Sequence, residues 1–77
     1  MNNFKAVGIV RWFDSLSQEG VIRVNGKSIF YCNSIFQCNG FKESDRQHLM
    51  SGQSVFVEVI IDSHYTQISR IIDSEGV

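Results

Sequence analysis

Apolar and polar positions alternate along most of the chain in short runs, and Gly, Asn, Asp and Ser separate the runs. Five runs read as strands, because they are short and rich in β-branched and aromatic residues. The first, FKAVGIVRWF at 4–13, is apolar on both faces near its centre and holds Gly8 inside it. An interior glycine in a strand marks a bend or bulge. A long bent strand serving two sheets is what a small closed barrel needs. The second run is GVIRV at 20–24 and the third is KSIFYC at 27–32. Asn25-Gly26 between them predicts a tight hairpin, since both positions tolerate φ > 0. The fourth run is SVFVEVII at 54–61, where Val55, Val57 and Val59 alternate with Phe56 and Glu58. That spacing gives one buried and one mixed face. The fifth, YTQISRII at 65–72, follows the turn DSH.

Between the third and fourth runs lies NSIFQCNGFKESDRQHLMSG, whose piece ESDRQHLM can make a turn or two of helix with Ser44 as its cap. Five short strands, a tight hairpin, a long loop and no dominant helix predict an all-β fold. The architecture expected is a five-stranded antiparallel Greek-key barrel of the oligonucleotide-binding (OB-fold) kind. An SH3-like barrel competes at this size and strand count. Period-two geometry then sorts the faces. With Ile22 and Val24 inward, Glu19, Val21 and Arg23 share the outer face; with Ile29 and Tyr31 inward, Phe30 and Cys32 point out. Tyr31 is expected half-buried, Phe4, Phe13 and Phe56 in the core or at its rim, and Phe41 exposed in its polar loop. Trp12, beside Arg11, reads either as core or as a platform for flat ligands.

The 77 residues form a single domain, 1–77, with 43% hydrophobic and 19% charged residues. This supplies a core and carries too little charge for a disordered tail. No apolar run approaches the ~20 residues of a membrane span, and the opening MNNFKAVGIV does not read as a signal peptide, so a cytoplasmic location is expected. Cys32 and Cys38 with the scattered His48 and His64 do not make a metal site, and no cofactor is expected. No catalytic triad, carboxylate pair or phosphate loop can be assembled, so the chain is read as non-catalytic. The net charge of −1 conceals an asymmetry. Residues 1–38 carry Lys5, Arg11, Arg23 and Lys27 against Asp14 and Glu19, a net +2, while residues 39–77 carry a net −3. An anion-facing side belongs to the first half.

GIVRWF at 8–13 resembles the opening strand of bacterial cold-shock proteins, usually G-x-V-K-W-F. Where that family has K-G-F-G-F-I the chain reads SQEGVI at 17–22, and for V-F-V-H-F-S it reads IFYCNS at 29–34. NGFK at 39–42 and LMSGQSVFVE at 49–58 are also similar to family segments. About six extra residues fall around 43–48, and the family's G-P-x-A before the last strand is absent.

The resemblance implies a cold-shock-like domain that binds single-stranded RNA or DNA by stacking bases on outward aromatics, with basic side chains meeting phosphates. Carried over by position, the nucleic-acid-binding residues are Arg11, Trp12, Arg23, Phe30, Phe41 and Lys42. Glu19 and Val21 stand where the family has Phe, Cys32 where it has His, Asn33 where it has Phe, and Ser17 where it has Lys. Each lost stacking platform removes ~1–3 kcal/mol, so weakened or altered binding is implied. The alternative is a protein-interaction adaptor or homodimer that re-uses the greasy outer face.

Overall fold

The computed structural model describes residues 2–74 as one curled antiparallel sheet. Its strands are β1 (Asn2–Asp14), β2 (Glu19–Val24), β3 (Lys27–Cys32), β4 (Ser54–Ile61) and β5 (Thr66–Asp73), in the order β3-β2-β1-β4-β5. Two short 3-10 turns, Ser34–Gln37 and Glu43–Asp45, lie in the β3–β4 connection. The sheet rolls into a half-barrel in which Cα atoms of the two outermost strands, β3 and β5, approach to within 8 Å. No helix among the described residues is long and apolar enough to cross a membrane.

Alternation on the concave side builds the core. Val55, Val57 and Val59 of β4 are fully buried, and Gly8, Ala6 and Phe4 of β1 stand opposite them. Val10, Ile22 and Ile29 form a second inner row across β1, β2 and β3. Burying each such aliphatic side chain stabilises the fold by roughly 1.5–3 kcal/mol. Asn25 and Gly26 both take positive φ, 51° and 80°, as the expected hairpin requires. Gly8 proves to be a packing position, not a bend: a Cβ there would stand 2.7 Å from Ile22 Cγ2 and 3.0 Å from Val24 Cγ2. The irregularity in β1 falls two residues later. Val10 opposes Ile22 and Trp12 opposes Val21, so Arg11 has no opposite number. This bulge puts Val10 inside and both Arg11 and Trp12 outside.

The β3–β4 connection is held by a polar knot. Gln18 is fully buried with φ 60°. Its Nε2 donates to the carbonyls of Ser15 (2.7 Å) and Gln47 (2.9 Å). Its Oε1 accepts from Asn33 Nδ2 (2.9 Å) and the Gln47 amide (2.8 Å). Buried Asn33 also donates to the Asp45 carbonyl (3.1 Å) and accepts from the Ile35 amide (3.3 Å). These bonds explain why ESDRQHLM is not a helix beyond Glu43–Asp45. The Gln47 amide is spent on Gln18, Arg46 reaches the Ser15 carbonyl, and Leu49 is drawn into the core. Ser44 sits inside the 3-10 turn and does not cap it; Asp45 Oδ2 accepts from the Lys42 amide instead (3.1 Å).

Candidate functional site

Residues opposite one another in register make rows across the convex side of β1, β2 and β3. The central row is Trp12–Val21–Phe30. Trp12 is 48% exposed and Phe30 57%, with Val21 half-buried between them. Cross-strand neighbours of this kind stand ~4.5–5.5 Å apart at Cβ, so the row is a continuous apolar strip. Ile9–Arg23–Ser28 flanks it on one side, with Ile9 and Arg23 exposed. Asp14–Glu19–Cys32 flanks it on the other. Asp14 Oδ1 accepts from the amides of Leu16 (2.9 Å) and Ser17 (3.4 Å), capping the β1–β2 turn, so Glu19 is the acid that faces the strip.

The strip owes its position to the concave face. Directly inside lies the row Phe13–Gly20–Tyr31. A Cβ on Gly20 would collide with the Trp12 carbonyl oxygen and lie 2.9 Å from Phe13 Cα. Glycine at 20 therefore lets β1 and β2 close, and the Phe13 and Tyr31 rings meet at a centroid distance of 6.4 Å. Tyr31 is fully buried, not half-buried as expected. Its hydroxyl donates to Gln47 Oε1 (2.6 Å), and burial pushes the phenol up to about 12.

The sequence-predicted residues fall into two groups. Arg11, Trp12, Arg23 and Phe30 gather on the convex face, and neither arginine is in an ion pair among the described residues. Phe41 and Lys42 lie in the long connection, in a different cluster. Phe41 is half-buried, edge-on to Phe36 at 4.9 Å, with the Arg46 guanidinium 5.3 Å from its centroid. Arg46 also pairs with Glu43 (3.0 Å), whose carboxyl it holds below the usual range. Phe41 is thus engaged in packing and not exposed as expected. Asn33 is a buried anchor, so its position offers nothing to a ligand on the convex face.

Tyr65 is a residue that sequence reasoning passed over. It is 48% exposed at the end of the β4–β5 turn, where the Asp62 amide donates to its carbonyl (2.8 Å). The available signal was an aromatic next to a polar turn. Between β3 and β5 runs a cleft of about 530 Å³ whose lining includes Phe30 and Tyr65. Phe30 therefore belongs to both the strip and the cleft. Among the described residues no group of three or more His, Cys, Asp or Glu could hold a metal ion, and Cys32 and Cys38 form no disulfide. No family model and no curated protein matches the chain.

Proposed function

We propose that the half-barrel is a Greek-key barrel of the OB, cold-shock-like kind. It acts in the cytoplasm as a non-catalytic module for single-stranded RNA or DNA, with weaker affinity than a complete aromatic face would give. The observation that carries this reading is the pair of exposed rings, Trp12 and Phe30, in one cross-strand row with Arg11 and Arg23 beside it. Every base offers a π-face, so two rings and two guanidiniums suit a flexible anionic strand without fixing its sequence. The strand order, with β1 shared and β3 approaching β5, supports the barrel assignment. The motif resemblance in GIVRWF and IFYCNS supports the family assignment.

Trp12 is the single tryptophan of the chain, so its fluorescence reports on the strip directly. Titration with a pyrimidine-rich oligonucleotide at two salt concentrations is expected to quench it, with affinity falling as salt rises. Unchanged fluorescence in low salt at high oligonucleotide concentration refutes the reading.

Glu19 and the exposed Ile9 favour a second reading, in which the same strip docks a protein or a second copy. A dimer in sedimentation, or a stoichiometric co-purifying partner with no oligonucleotide response, is its expected signature. A monomer that captures RNA alone excludes it.

A further inference from the structure

We infer that the cleft between β3 and β5 takes one nucleobase of the bound strand, inserted edge-first between Phe30 and Tyr65. This rests on the proposed nucleic-acid reading and extends it to a second, more selective contact. Phe30 and Tyr65, both more than two-fifths exposed, present rings at the cleft, and buried Ile68 lies among its lining residues. Thr66 and Gln67 add a hydroxyl and an exposed amide, which pair with the polar edge of a base. No charged side chain lines the cleft, so it suits a neutral heterocycle and not a phosphate. The nearby cation is Lys27, whose Nζ lies 3.4 Å from Thr66 Oγ1, placed for the phosphate attached to such a base.

The geometry also decides against the other occupant that two strand edges invite. An added peptide strand needs two inter-strand spacings, ~9.5 Å in all. Some Cα pairs of β3 and β5 approach to within 8 Å, so a strand added along the full length of the pair has no continuous lane. A planar ring about one atom thick needs no such lane. Continuity fixes the path: Phe30 ends the Trp12 row and begins the cleft, so a strand lying along Trp12–Val21–Phe30 delivers its next base there.

The test combines Tyr65→Ala and Gln67→Ala with a series of short oligothymidylates in which each base in turn is replaced by an abasic site. Affinity is read from Trp12 quenching, and folding from circular dichroism. The native protein is expected to lose roughly five- to 150-fold in affinity at one abasic position, the range of one base stack. Tyr65→Ala is expected to lose a similar factor with the intact strand and to become indifferent to that abasic position. Gln67→Ala, at an exposed position, gives the same diagnosis if Tyr65→Ala fails to fold. Normal quenching with unchanged affinity in both variants overturns the cleft assignment and leaves the strip standing. Absence of quenching by any oligonucleotide overturns both.

Discussion

Replacing Gln18 by Ala removes the centre of the polar knot, and the structure sets the size of the loss. Four hydrogen bonds disappear: two from Gln18 Nε2 and two to its Oε1. Asn33 Nδ2 keeps the Asp45 carbonyl, but the Gln47 amide loses its partner in the knot. At about 1 kcal/mol net per bond the cost is about 4 kcal/mol, before any cavity term. A chain of 77 residues has roughly 4–12 kcal/mol of stability in total, so the variant is expected to be marginal. Urea unfolding followed by circular dichroism measures this directly. With a slope near ~1 kcal/mol/M, the midpoint falls by about 4 M or the protein is unfolded without denaturant. Gln18→Leu restores volume but strands the same partners, so it is expected to lose as much. Gln18→Gly loses the same bonds but relieves the left-handed backbone at φ 60°, so it is expected to fare better than Ala. A loss under about 1 kcal/mol in the Ala variant, or full recovery in the Leu variant, refutes the hydrogen-bond account.

Gly20→Ala is expected to open the β1–β2 pairing next to Trp12, lowering the melting temperature and shifting Trp12 emission; unchanged stability contradicts the close approach at Gly20. Stability is expected to be independent of Tyr31 below pH 10 and to fall between pH 10 and about 12. The buried phenol stays neutral in that window while the unfolded chain ionises, so the unfolded state sheds a proton that the folded state keeps. Denaturant midpoints at stepped alkaline pH, compared with Tyr31→Phe, check the sign. Glu19→Phe combined with Val21→Phe adds two platforms beside Trp12 and is expected to raise oligonucleotide affinity fivefold or more from a measurable baseline. A sharp rise from no binding at all shows that the native strip is not a stacking face.

Alternation carried most of the fold. Val55, Val57 and Val59 fixed the inner side of β4, and Ile22, Val24, Ile29 and Tyr31 fixed the facing of the hairpin. Asn25-Gly26 located the turn because its backbone requirement is local. The convex group of Arg23 and Phe30 followed from the same parity. Two features escaped for one physical reason: they depend on partners far along the chain. Gln18 and Asn33 look like ordinary turn residues until Gln47 and Asp45 are brought to them across some thirty and a dozen positions. The cleft at Tyr65 exists only because β3 and β5 come together. Phe41 escaped for a local reason: its partners Phe36 and Arg46 lie five residues to either side, in an irregular stretch whose path no periodicity sets. The place of the bulge was hidden in another way, since Gly8 was the visible irregularity while Arg11 carries the extra step.

That extra step frees the facing of an entire ring from chain length at one position. Excising position 11 would close the bulge and leave Val10 opposite Ile22 and Trp12 opposite Val21 as successive steps of an unbroken alternation, so the indole would stay outside and Phe13 inside. Descendants of this chain can therefore drift far in spelling along β1 while conserving their outward ring. They can also lose the codon for position 11 and still keep the domain's one tryptophan on the outside.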